Sequence, residues 1–329
     1  MRKVFCFFTL LMSLFISVEI SNCSEQINTD DSLIVEENSA FAMVLDFNLP
    51  IEVNRQDWQT VTLGMRLAEE DTLRIPKDGQ ITLIFQDGTI INFAGPSTLC
   101  LMSISDRSKG ITITNIIHSL VELFFASGNN GKEAHLGVRY PTTLEKKPLR
   151  VPVLIYPPQN CNLIEPPEKF KWQAIEGVLI YNVFLFDKDG LLWQIKTKNT
   201  AVENPPDGFE FEYGKEYIWL VEAGIGNEIL RSEQVAFKIL DENEISDFMK
   251  HLAAIDTTIT DNRLAALLKI QLYRDYGIMV ECYWHIERFL KEYPDNYSML
   301  ITKAELLEYM GLLDNAILIY KSLLSELVK

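Results

Sequence analysis

The sequence predicts a multidomain chain of β units followed by α-helical hairpins. Three observations carry that expectation. From about residue 41 to 241, short apolar or β-branched runs are separated by Asp-Gly and Pro-Pro punctuation, the pattern of strands and turns. The remainder reads as helix. Within it, Asp261-Asn262 recurs as Asp295-Asn296 and Gly277 as Gly311, a register of 34 residues. Cys282 and Ala316 share a small-residue slot, and Ile286 and Tyr320 a large one. Self-similarity at this spacing is the mark of stacked helix-turn-helix repeats, which build grooves for other polypeptides rather than pockets for chemistry.

The amino-terminal residues 1–23 read as an export signal. Arg2 and Lys3 precede an apolar run from Val4 to Val18, and Glu19 closes it. The run is short for a membrane span. Soluble-type cleavage near Ser21-Asn22-Cys23 is one outcome. Ile20-Ser21-Asn22-Cys23 resembles a lipoprotein box, and acylation of Cys23 is the second. An uncleaved anchor is the third. Residues 24–40 are acidic and poor in aromatics, the composition of a spacer.

Residues 41–150 form the first β unit. Gln80-Ile81-Thr82-Leu83-Ile84-Phe85, Thr89-Ile90-Ile91-Asn92-Phe93 and Gly110-Ile111-Thr112-Ile113-Thr114-Asn115 read as strands, with Asp78-Gly79 and Asp87-Gly88 as turns. The succession Trp58-Gln59-Thr60-Val61, Gly64-Met65-Arg66-Leu67, Asp71-Thr72-Leu73-Arg74, Asp78-Gly79-Gln80 and Phe85-Gln86-Asp87-Gly88-Thr89 resembles the FecR domain. Gly137-Val138-Arg139 is similar to its closing segment. Glu69-Glu70 and Tyr140-Pro141 depart from that pattern. Founding members of the family are periplasmic halves of transmembrane regulators. The apolar segment here has no domain before it in the sequence, so that role is not expected to carry over directly.

Residues 151–241 form a second β unit, opened by Pro157-Pro158 and Pro166-Pro167. Phe170-Lys171-Trp172 places two large side chains on one strand face, and Tyr217, Trp219 and Val221 do the same. The segment resembles the immunoglobulin-like and fibronectin type III sandwiches of bacterial envelope proteins. That resemblance implies that the Tyr217 hydroxyl holds a corner.

Residues 242–329 are the helical part. Asp241 with Glu244 forms a capping box for a helix to about Ile255, which is expected to cap the stack and dock on the sandwich. The repeats resemble tetratricopeptide hairpins, one from Arg263 to Asn296 and one from Tyr297 onward. Gly277 and Gly311 mark the turn in each. Phe289, Lys269 and Lys303 depart from the repeat's usual residues. The resemblance implies an inward face of Leu264, Leu267, Leu268, Gln271, Arg274 and Asp275, continued by Ser298, Ile301, Thr302, Glu305, Glu308 and Tyr309. Its polar members Gln271, Arg274, Glu305 and Tyr309 are the candidate partner contacts.

Composition and motifs bound the function. A formal net charge of −16 argues against nucleic acid or anionic lipid as a partner. No nucleophile elbow, phosphate loop, dinucleotide fingerprint or paired-histidine zinc motif occurs, so neither an enzyme activity nor a cofactor or metal is expected. Cys282 and His285 share a helix face at i and i+3, but no third ligand is evident and Cys282 fills a packing slot. Turn formation explains Asp78 and Asp87; a gathering of Asp71, Asp78 and Asp87 on one edge of the first β unit is the alternative. Cys100, Cys161 and Cys282 fall in different units and read as buried thiols, with a Cys100–Cys161 bridge as the alternative. Trp193 is either a core residue or a platform for a sugar ring. The expected function is therefore an exported, periplasmic or envelope-associated, non-catalytic protein that binds a protein or peptide, with membrane attachment only through Cys23. A FecR-like sensory component and a glycan- or peptidoglycan-binding accessory are the alternatives.

Overall fold

The computed structural model describes residues 41–55, 57–104, 111–112, 124, 151–203, 209–226 and 228–327. The export signal with Cys23, the spacer, the strand expected at 113–115, His118, His135, the 127–131 loop and Gly137-Val138-Arg139 lie outside the described residues. Antiparallel β-sheets come first and five helices follow.

The first β unit holds β1 (Ala42–Phe47), β2 (Glu52–Asn54), β3 (Trp58–Thr60), β4 (Arg66–Leu67), β5 (Thr72–Ile75), β6 (Gln80–Phe85), β7 (Thr89–Ala94), β8 (Ser97–Cys100) and β9 (Ile111–Thr112). They pair antiparallel as one sheet, β4-β1-β6-β7-β9, and a second, β3-β2-β5-β8. Alternation sorts the side chains. Ala42, Val44, Ile81, Leu83 and Phe85 join Val53, Leu73 and Ile75 of the other sheet in one core. Met43, Leu45, Ile84 and Ile90 belong instead to a core shared with the helices. Strand β1 is therefore buried along its whole length.

The second β unit holds β10 (Leu154–Tyr156), β11 (Cys161–Leu163), β12 (Lys169–Trp172), β13 (Tyr181–Asp187), β14 (Gly190–Thr197), β15 (Ala201–Glu203), β16 (Glu216–Ile225), β17 (Glu228–Arg231) and β18 (Val235–Ile239). One sheet runs β10-β12-β15 and the other β11-β18-β16-β13-β14, with β17 also on β16 and β11 parallel to β18. Phe170 sits at the centre of an aromatic core, edge-on to Trp193 at 5.4 Å and to Trp219 at 5.1 Å. Trp193 is 8% exposed, so it is a core residue and not a sugar platform. The Tyr217 hydroxyl accepts a hydrogen bond from the Glu212 amide at 2.8 Å and pins the approach to β16.

The helices are α1 (Glu242–Thr258), α2 (Asn262–Asp275), α3 (Met279–Glu292), α4 (Tyr297–Tyr309) and α5 (Leu313–Leu327). The Asp241 carboxylate accepts from the Glu244 amide at 2.8 Å while the Glu244 carboxylate accepts from the Asp241 amide at 2.9 Å, a complete capping box. The 34-residue register reappears in hydrogen bonds. The amides of Gly277 and Ile278 donate to Arg274 and Tyr273 carbonyls, and those of Gly311 and Leu312 to Glu308 and Leu307. Gly277 has φ of 68°, where a side chain would be strained. The N-caps break the register by one residue. Asp261 caps α2 through the Leu264 amide, whereas Asn296, not Asp295, caps α4 through Met299.

Asp46 explains the slip. Its carboxylate, 2% exposed at the end of β1, accepts from Asn296 Nδ2 at 2.9 Å and from Ser298 Oγ at 2.6 Å, and pairs with Arg263. One strand residue thus gathers the start of α2 and the start of α4. A second seam joins the other β unit. Asn162 donates from its amide to the Gly277 carbonyl at 2.8 Å and from Nδ2 to the Tyr276 carbonyl at 2.7 Å. Replacing Asp46 with Ala leaves the buried donors of Asn296 and Ser298 without an acceptor. Urea unfolding of Asp46→Ala is expected to show a loss of about 3 kcal/mol.

Candidate functional site

The inward face of the helices is the first place to look, because the repeat pattern points there. Helices α2 and α4 both lie on β1. The segment 61–66, which leads from β3 into β4, closes against them. Its Gly64 amide donates to the Val44 carbonyl at 2.8 Å. Arg274 Nη1 donates to the Leu63 carbonyl at 3.1 Å. Gly64 has φ of 74°, and a Cβ there would stand 2.9 Å from Gln271 Oε1. A side chain at Gly64 is excluded twice over, by backbone conformation and by Gln271.

The chain itself therefore occupies the expected groove. Gln271 is buried and donates from Nε2 to Asp275 at 2.9 Å. Glu305 is 3% exposed. Tyr309 is half-buried, and burial raises its hydroxyl above the usual range with Cys161 adding to the effect. Gln271, Arg274 and Glu305, read from sequence as surface contacts, instead form a polar layer inside the molecule. The physical reason is that β1 presents Met43 and Leu45 outward, and the helices cover them.

Two carboxyls in this layer are strongly perturbed. Asp275 is pushed up to about 7 by burial, against the opposing pull of Arg274, Gln271 and Arg66. Its Oδ2 has no hydrogen-bond partner among the described residues. Glu305 is likewise pushed up to about 7 by burial, Arg274 opposing and Glu308 assisting. The folded chain holds both protons more tightly than the unfolded chain.

A second feature faces solvent. A cleft of about 410 Å³ opens between β10 and β12 of the second β unit and helices α3 to α5. Tyr156, Tyr283, Trp284, Met310 and Leu312 are among its walls. Trp284 is 65% exposed. Cys282, Ile286 and Phe289 define the buried face of α3, and Trp284 lies away from it. Titratable groups at and near the cleft are perturbed, chiefly by burial. Burial pushes the Tyr156 hydroxyl up to about 12, with Glu281, Cys161 and Glu168 adding to it. Burial also raises the Glu281 carboxyl, with Glu165 assisting, and its Oε2 has no hydrogen-bond partner among the described residues. A larger hollow of about 760 Å³ lies over 195–203, but one contiguous stretch makes all its walls and no second element converges on it.

The remaining candidates are each engaged. Cys282 Sγ donates to the Ile270 carbonyl at 3.6 Å, and burial pushes its thiol up to about 12. His285 stacks on Tyr273 at 4.7 Å. Cys100, Cys161 and Cys282 are free thiols, so the Cys100–Cys161 bridge is not formed. Asp71 accepts from Arg55 and from the Ala68 amide, Asp87 from the Thr89 amide, and Asp78 takes the left-handed conformation of its turn. Sequence reasoning missed Asp46, the 61–66 segment and the cleft. One signal for the cleft was legible: Trp284 stands two positions from Cys282, on the side of α3 where a polar residue belongs.

The buried carboxyls make stability depend on pH. Their contribution is complete below the ordinary carboxylate range and is lost as pH rises toward about 7. The urea midpoint is expected to fall between pH 5 and pH 8. In the Asp275→Asn, Glu305→Gln double variant that fall is expected to be smaller by about 2 kcal/mol than in the wild type.

No family model matches the sequence, and no curated protein does. Among solved structures, the chain is similar to the crystal structure of CopC from Methylosinus trichosporium OB3b, at 15% identity and a TM-score of 0.22, over 28% of this chain and 95% of that one. At that score the likeness bears neither on the fold of the whole chain nor on its function.

Proposed function

We propose that this chain is an exported, non-catalytic cell-envelope protein that acts by binding a segment of another protein. The observation that carries this reading is the open cleft beside Trp284, where a large aromatic stands exposed next to apolar walls contributed by two different parts of the fold. Buried aromatic anchors with an exposed rim are how proteins concentrate binding energy. In this reading the inner face of the helical repeats serves the chain's own architecture, with Gln271, Arg274 and Glu305 holding the first β unit. The partner engages the outer side, near Tyr309 and the second β unit.

The modular reading goes with it. Residues 41–150 act as a FecR-like domain, 151–241 as an immunoglobulin- or fibronectin III-like sandwich, and 242–329 as tetratricopeptide-like repeats. The antiparallel sheets, the Tyr217 hydroxyl on the Glu212 amide and the matched turn hydrogen bonds of Gly277 and Gly311 support it. Export rests on Arg2, Lys3 and the apolar run that follows, with Cys23 as the candidate for acylation. No described helix is long and apolar enough to cross a membrane.

Two measurements test the proposal. Mass spectrometry of the mature protein is expected to find a chain that starts at or close to Cys23; a chain that keeps its N-terminus and is recovered in the cytoplasmic fraction overturns export. A photo-crosslinking residue placed at Trp284 in living cells is expected to yield a discrete adduct. The same residue at Ile229, exposed on β17, is expected to yield none. Equal or absent adducts at both positions overturn the binding reading.

A further inference from the structure

The 34-residue register repeats surfaces as well as turns, and one surface differs between the two hairpins. In the first, α4 packs over α3. Lys303 of α4 pairs with Glu287 and stands over the Tyr283 ring at 5.8 Å. Leu290, further along α3, packs on the core that the helices share. Tyr283, Glu287 and Leu290 are all half-buried. They fall at i, i+4 and i+7, one stripe of a helix.

The register maps this stripe onto α5 as Ile317, Lys321 and Leu324. Ile317 is half-buried, but Lys321 is exposed and Leu324 is 55% exposed. Leu313, one turn before Ile317, is also 55% exposed. A generally more open second hairpin does not account for this. Trp284 and its equivalent Leu318 are 65% and 67% exposed, so that position is open in both. The stripe is where exposure changes, and α4 covers it in the first hairpin. Charge states what a cover for α5 must bring. Where α3 offers a carboxylate to Lys303, α5 offers the ammonium of Lys321, which enters no ion pair among the described residues. Asp314 stands seven residues away, about 10 Å along the helix and about one screening length off. A helix lying on α5 as α4 lies on α3 therefore needs a carboxylate in the place of Lys303. Apolar side chains beside it would meet Leu313, Ile317 and Leu324.

We propose that the outer face of α5 binds an amphipathic helix of another polypeptide, which continues the repeat stack and sets a carboxylate against Lys321. Contact between neighbouring units is what stabilises such a stack, so an added helix uses a geometry the fold already contains. Leu313, Ile317, Lys321 and Leu324 do not line the cleft beside Trp284, and this inference stands without it.

A synthetic peptide of the α4 sequence, residues 295–311, tests it in two forms, one with Lys303 kept and one with Lys303→Glu. Binding to the full chain is followed by calorimetry. The Glu form is expected to bind roughly fivefold tighter than the Lys form. Lys321→Glu in the full chain is expected to reverse that preference. Leu324→Asp is expected to weaken both forms at least roughly tenfold. Lys321 and Leu324 are exposed, so an unchanged urea midpoint shows that both variants fold. Absence of binding, a preference that Lys321→Glu leaves in place, or indifference to Leu324→Asp overturns the proposal. Sedimentation supplies the alternative occupant: a dimer of the chain dissolved by Leu324→Asp assigns the face to a second copy and also overturns it. The crosslink at Trp284 reads the cleft and not α5, so the two proposals fail separately.

Discussion

Strand β1 is asked to be buried on both faces, and the rest of the molecule is arranged around that demand. One set of its side chains fills the space between the two sheets of the first β unit, and the other set needs a cover. Helices α2 and α4 are that cover. Leaving Met43 and Leu45 to water would forfeit roughly 2 kcal/mol each. Apolar contact alone does not choose an orientation, however, because it is non-directional. The choice is made by Asp46, which follows those residues on the same strand and accepts hydrogen bonds from side chains placed at the starts of α2 and α4.

That arrangement changes the meaning of the repeat's concave side. In an isolated stack the polar residues there would face water. Here Arg274 meets a backbone carbonyl of segment 61–66, and Gln271 lies against Gly64. The cost appears in the carboxyls. Asp275 and Glu305 share the cations within reach, chiefly Arg274, and burial outweighs that attraction for both. The seam between helices and sheet is therefore tightest when these groups are protonated.

The outward side has the opposite character. The turn between α2 and α3 is held by Asn162, and α3 touches β11. This docking leaves an angle between the second β unit and α3 to α5, and the angle is the cleft. Its walls come from segments more than a hundred residues apart in sequence, which is how Trp284 of α3 comes to stand beside Ile155 and Tyr156 of β10.

What was legible in the sequence was the local structure. The alternation of β6, the capping box at Asp241, the turn glycines Gly277 and Gly311 and the core position of Tyr217 all follow from spacing and from single-residue stereochemistry. Of the candidate contacts on the repeat, Arg274 reaches the Leu63 carbonyl, Gln271 lies against Gly64, Glu305 is buried and Tyr309 is half-buried. What covers these residues was not legible. Whether a polar residue on a helix meets water, a partner or another part of its own chain depends on long-range docking, and docking is set by the shape of two finished surfaces rather than by any local pattern. Asp46 reads in sequence as one more carboxylate among many. Only the folded chain brings Arg263, Asn296 and Ser298 to it, and with them the decision that the groove is filled from within and the cleft is left open.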